Sequence, residues 1–120
     1  MKVRALRGAT TADSNTKEAI IGATTELLEE MLDRNDVATD DLIYIIFTAT
    51  EDITTEFPAA AARKIGLSHI PVLSARELAV EGALPLTVRA LMLVYTAKAR
   101  EQLRHAYLKG ARQLRMDLPE

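Results

Sequence analysis

Three arginines stand where arginine is out of place: Arg7 in KVRALRGA, Arg63 in the alanine-rich PAAAARKI and Arg89 in LTVRALMLVYT. Around Arg89, the residues Leu86, Val88, Ala90, Met92 and Val94 alternate with Leu91, Leu93 and Tyr95. That is the pattern of a strand with apolar side chains on both faces. A cation in such a strand needs a counter-charge, because arginine is almost never fully buried unpaired. A glutamate of the same protein would serve, giving an internal ion pair, and so would an acidic ligand. A guanidinium fork grips a carboxylate through two donors at once, so a set of misplaced arginines suits a small substrate bearing carboxylates. Taken singly, Arg7 also fits a strand end with its head in water, and Arg63 a solvated helix face. Glu77 in SARELA reads by default as a surface carboxylate, Tyr107 as a half-buried strand aromatic and Phe57 as a loop anchor.

Other chemistries are thinly represented. The chain holds no cysteine, which removes thiolate catalysis, disulfides and Cys-based zinc sites. Glycine-rich phosphate loops are missing. His69 and His105 lie far apart in sequence, and each reads as a surface or structural residue rather than a metal ligand. Ser74 has no histidine at a telling spacing. A net charge of -2 and a pI near 5.7 argue against a broad basic surface for nucleic acid. No apolar run approaches the ~20 residues of a membrane span, and the first residues lack the apolar stretch of a signal peptide. The expectation is a soluble cytoplasmic protein with no metal, no cofactor, no nucleic-acid partner and no membrane partner. At 120 residues it should form one domain over residues 1–120.

The elements that must carry these residues follow from periodicity. Residues 2–9 read as a strand ending near Gly8, with Val3, Ala5 and Arg7 on one face. Asn15 and Glu18 are placed as a capping pair for a helix running to about Arg34, with Ile20, Ile21, Ala23, Leu27, Leu28 and Met31 as its apolar stripe. IYIIFTAT, residues 43–50, reads as a central strand covered on both sides. Pro58 and Gly66 bracket a short helix. Strands are predicted at 70–74, 86–96 and 107–114, with TAKAREQL between the last two as a connection open to helix. This order predicts a mixed sheet with helices on one face, in the α+β or α/β class.

Together the signals match a family. RGATT (7–11), TATEDITTEFPAAAAR (48–63), PVLSARE (71–77), VRALM (88–92), RHAYL (104–108) and LRMDL (114–118) resemble, in order, the motifs of monofunctional AroH-class chorismate mutases. The resemblance runs from Val3 to about Leu118. It implies a mixed α/β chain that assembles as a homotrimer with a pseudo-α/β-barrel core and a site at each subunit interface. It also implies the cofactor-free rearrangement of chorismate to prephenate, on the route to phenylalanine and tyrosine.

By the same resemblance, Arg89 matches the arginine at the ether oxygen of the breaking bond, Arg7 one that holds a carboxylate, and Glu77 the carboxylate that meets the ring hydroxyl. Tyr107 matches a tyrosine at the side-chain carboxylate. Leu73, Ser74, Ala75 and Arg76 form the binding segment leading to Glu77. Phe57 and Arg63 match residues brought by the adjoining subunit, and Leu114 and Arg115 a closing tail. Ala60 stands where some members carry lysine, and Ser74 where some carry cysteine. The stretch from Tyr107 to Arg115 would span roughly 26 Å as one straight strand. The chain must therefore turn before Arg115, or Arg115 serves another subunit's site. Two rival readings remain for such an arginine pocket: a trimeric carboxylate sensor without catalysis, and an imine or enamine hydrolase of related architecture.

Overall fold

The structure, a computed structural model described over residues 1–119, is a five-stranded mixed sheet with its helices on one face. Strand β1 (Lys2–Thr11) leads into helix α1 (Lys17–Arg34), then β2 (Leu42–Ala49), the short helix α2 (Ala59–Lys64), β3 (Val72–Arg76), β4 (Thr87–Thr96) and β5 (Ala106–Tyr107). The strand order is β3-β2-β4-β1-β5. β4 runs antiparallel to both β1 and β2, whereas β3 is parallel to β2 and β5 parallel to β1. β4 is thus the middle strand, and Arg89 sits at the centre of the sheet.

The period-two pattern sorts the faces. Leu6, Ile45, Phe47, Val88, Met92 and Val94 are fully buried against Leu27, Leu28 and Met31 of α1, and against Ala61 and Ala62 of α2. On the other face Val3, Leu91 and Tyr95 stay 49, 37 and 47% exposed. β2 is therefore covered on one face only within a single chain, not on both, and its continuous apolar run (Ile43, Tyr44, Ile46) leaves a half-covered side. Val3, Ala5 and Arg7 share that uncovered side, as the alternation predicts.

Several boundaries differ from the sequence expectation, each for a local reason. β1 continues to Thr11, because its ladder with β4 runs unbroken from Lys2–Thr96 to Thr11–Thr87. The cap of α1 is Thr16, whose hydroxyl accepts from the Ala19 amide. Asn15 instead ties down the loop after β2, accepting from the Thr54 amide and the Thr55 hydroxyl and donating to the Thr54 hydroxyl. β3 starts two residues later than expected, at Val72, and the 97–103 connection holds only a 3₁₀ turn at Arg100–Gln102. The last strand is not 107–114. It ends at Tyr107, and Lys109–Leu114 form a 3₁₀ helix entered through Lys109 at φ +52°. The turn expected before Arg115 is this one. It brings Leu114 and Leu118 onto Ala9, Tyr107 and Ala111, covering one end of the open face.

Candidate active site

On the open face, register puts four of the expected residues side by side. Thr48 of β2 lies opposite Arg89 of β4 on one side and Ala75 of β3 on the other. Two residues beyond Ala75, Glu77 bends back over Thr48, held by its own amide donating to the Ala49 carbonyl at 2.9 Å. Glu77 Oε2 sits 3.0 Å from Arg89 Nε and accepts the Thr48 hydroxyl at 2.8 Å. Glu77 Oε1 accepts from the Leu78 amide at 3.2 Å. Across β4, Arg7 pairs with Leu91 and Ala9 with Arg89, and Ala9 in turn neighbours Tyr107 of β5. Arg7, Glu77, Arg89 and Tyr107 thereby line one hollow of about 340 Å³, with Ile46, Thr48 and Leu91 as its floor and wall.

The Arg89–Glu77 pair supplies the counter-charge to Arg89 without burying it. Its partner is an internal glutamate, but the side chains remain 44 and 27% exposed and both face the hollow. The closest contact of the pair is through Nε, and the Arg89 side chain also lines the hollow. An ion pair this open is worth little as a stability device. Its geometric effect is larger: Glu77 and Thr48 fix where the Arg89 plane points.

Arg115 reaches the same neighbourhood from the tail. It forms a two-pronged pair with Asp117, at 3.0 Å from Nε and 3.0 Å from Nη2, which raises the guanidinium pKa and lowers that of the carboxyl. Arg7 adds to the downward shift of Asp117.

The remaining expected residues do not enter this hollow within one chain. Leu73 shares its sheet face but lies toward the β3 edge, 62% exposed. Ser74 and Arg76 fall on the opposite side by alternation and, with Ala75 and the exposed Phe57, line a separate groove of about 550 Å³ beside Lys17 and Thr50. Arg63 is exposed on the last turn of α2. Thr48 and His105 were not singled out by sequence reasoning. Thr48 could have been found from alternation, since it falls on the face of Ile46 and opposite Arg89. His105 is tied to Arg7 by a contact spanning most of the chain, which no local pattern encodes.

This constellation sits in a recognisable family. Residues 3–118 match the family model for chorismate mutase type I.

The chain belongs to that family. It is 49% identical over 117 residues to the chorismate mutase AroH of Thermus thermophilus, covering 97% of this chain and 96% of the relative. Against the chorismate mutase AroH of Bacillus subtilis it is 37% identical over 119 residues, covering 98 and 94%. Among solved structures, a chorismate mutase from Clostridium thermocellum superposes with a TM-score of 0.90 at 41% identity, covering 92% of this chain and 98% of that one. As a chorismate mutase the chain is an isomerase. Among the described residues no cluster of His, Asp or Glu is placed to hold a metal ion, and no helix is long and apolar enough to cross a membrane.

Proposed function

We propose that the hollow between Arg7, Glu77, Arg89 and Tyr107 is where chorismate becomes prephenate, with Arg89 facing the ether oxygen of the breaking bond. The substrate is a dianion, and cleavage of its C–O bond loads negative charge onto that oxygen. A cation fixed in place stabilises the charge more in the transition state than in the ground state, and only that difference raises kcat. The observation that carries this reading is that Arg89, paired with Glu77 at 3.0 Å, stays partly exposed and lines the same hollow as Arg7 and Tyr107.

Glu77 then accepts the ring hydroxyl through the oxygen it does not spend on Arg89. Arg7 and Tyr107 hold carboxylates, compressing the flexible arm toward the reacting geometry. No general acid or base is needed, because no proton is transferred.

The reading includes assembly as a homotrimer. Phe57, Arg63 and the segment Leu73–Arg76 lie outside the hollow of their own chain and are exposed, which suits a role at a neighbour's site. The half-covered sheet face supplies apolar surface for such contacts. Leu114 and Arg115, packed beside Tyr107, close the site from the tail. The single domain acts in the cytoplasm and takes chorismate as its small-molecule partner, with no cofactor. Purified protein should consume the diene absorbance of chorismate with prephenate as the product; binding without turnover would instead support a sensor.

A further inference from the structure

His105 lies outside the hollow, yet its ring reaches into the strand that carries Arg7. The backbone amide of Arg7 donates to His105 Nδ1 at 2.9 Å. β5 pairs with β1 only at Gly8–Ala106 and Ala9–Tyr107, so the imidazole supplies a further rung just before the ladder begins. His105 is itself clamped from the helix layer. The Asn35 amide, 99% buried at the end of α1, donates to the carbonyls of Met31 and Arg104 at 2.8 Å each, and its carbonyl accepts the Arg104 amide at 2.7 Å. Arg34, paired with Glu30, donates to the His105 carbonyl at 3.3 Å. These contacts join the end of α1, the RHAYL segment and the backbone of Arg7 in one chain of hydrogen bonds.

Resting on the proposed role of Arg7, we infer that neutral His105 is a positioning residue for Arg7, holding its backbone so that the guanidinium meets a substrate carboxylate, and that protonation of the ring releases it. An Nδ1 that accepts from an amide must carry no proton, so the ring is the Nε2–H tautomer. The surroundings favour that form. Burial lowers the pKa of His105 first, and the charges of Arg7 and Arg115 lower it further. The charged groups around the ring are Arg7 on β1, Arg115 with its partner Asp117 on the tail, and Arg34 with Glu30 on α1. Acidification turns the acceptor into a donor aimed at another donor, and β1 must shift at Arg7. Arg7 grips the substrate in ground and transition states alike, so the loss falls on KM rather than kcat.

The experiment compares wild type with His105→Asn, which keeps an acceptor near the Nδ1 position but does not titrate, and with His105→Ala, which removes it. Steady-state kinetics with chorismate are measured from pH 5 to 8. The Arg7 amide resonance of the free enzyme is followed over the same range. Wild-type KM should rise as pH falls below the ordinary histidine range, while KM for His105→Asn stays flat. His105→Ala should raise KM about tenfold at neutral pH with kcat changed less than about threefold. The Arg7 amide should shift in step with the His105 ring in wild type and be pH-independent in His105→Asn. Equal KM profiles for wild type and His105→Asn, or an Arg7 amide that ignores the His105 titration, would overturn the assignment. If His105→Ala does not fold, the other two proteins decide the matter, and because the amide titration needs no turnover its outcome is independent of the catalytic reading.

Discussion

Glu77 and Arg89 meet across Thr48, carboxylate oxygen to guanidinium nitrogen at 3.0 Å, although they come from opposite sides of β2. The two roles that sequence offered Arg89, internal ion pair and ligand site, merge in this contact. The partner carboxylate is itself a candidate site residue, and the pair is open to the hollow it helps to line.

Gly8 tests how closely β1 must approach α1. A Cβ there would lie 2.6 Å from Met31 Sδ, 2.9 Å from Leu27 Cδ1 and 3.2 Å from the Ala106 carbonyl oxygen. The side-chain ends are fully buried and the backbone oxygen belongs to the β1–β5 ladder, so little can yield. Gly8→Ala should lower stability by about 1–3 kcal/mol, as overpacking does. It should also raise KM by displacing the neighbouring Arg7. Denaturant melts beside initial-rate kinetics check both parts.

The uncovered sheet face carries the assembly proposal. Val3 and Tyr95 are cross-strand neighbours, about half exposed, and lie away from the hollow. Tyr95→Asp adds a charge to that apolar surface and should disperse the proposed trimer, with activity lost in parallel. Sedimentation velocity with an activity assay on the same samples reads this out. A fully active monomer would refute a shared site.

Acid sensitivity has a definite direction. His105 has a folded pKa below its ordinary 6.5 because burial and two arginines oppose the cation. In the window between that lowered value and 6.5 the unfolded chain holds more protons than the folded one. Stability from this group is therefore fully present above 6.5 and is lost as pH falls through it. Denaturation midpoints from pH 7 to 5 should fall less in His105→Asn than in wild type. By contrast, kcat should be nearly flat from about pH 6 to 9, since no proton moves in the reaction.

The tail offers a separable test. Leu114 and Leu118 pack on Ala9, Tyr107 and Ala111, and Arg115 lies beside Tyr107. Truncation after Gln113 removes these contacts without touching the Arg89–Glu77 pair. It should chiefly raise KM and leave kcat less affected. A kcat loss of several orders at unchanged KM would contradict a closing role.

Much of this was legible from residues 1 to 96, where period and punctuation are strong. The alternation around Arg89 gave β4 and its two faces, and Pro58 and Gly66 gave α2, because backbone rules act there locally. Arg7, Glu77, Arg89 and Tyr107 are candidates by motif, and the fold brings them to one hollow. The 107–114 segment reads as a strand because Tyr107 and Leu108 are strand-like, while the break depends on Lys109 adopting a positive φ that nothing in its side chain announces. Asn15 looked like a cap, but its partners lie far along the chain at Thr54 and Thr55. His105 was passed over for the same reason.

Arg89 itself gives the most direct test. Arg89→Gln and Arg89→Lys should both fold, because Glu77 keeps its bonds to Thr48 and the Leu78 amide and the position is not sealed from water. Loss of one preorganised donor to a developing oxyanion typically costs ~10²–10³ in kcat. Lysine, a compact point charge, cannot reproduce the planar guanidinium fork. Steady-state kinetics on both variants, beside a thermal melt, should show kcat falling by at least about 10²-fold, with KM changed far less. A kcat within about threefold of wild type, roughly 0.65 kcal/mol, would mean that Arg89 does not face the breaking bond, and outright unfolding would make the Glu77 pair structural.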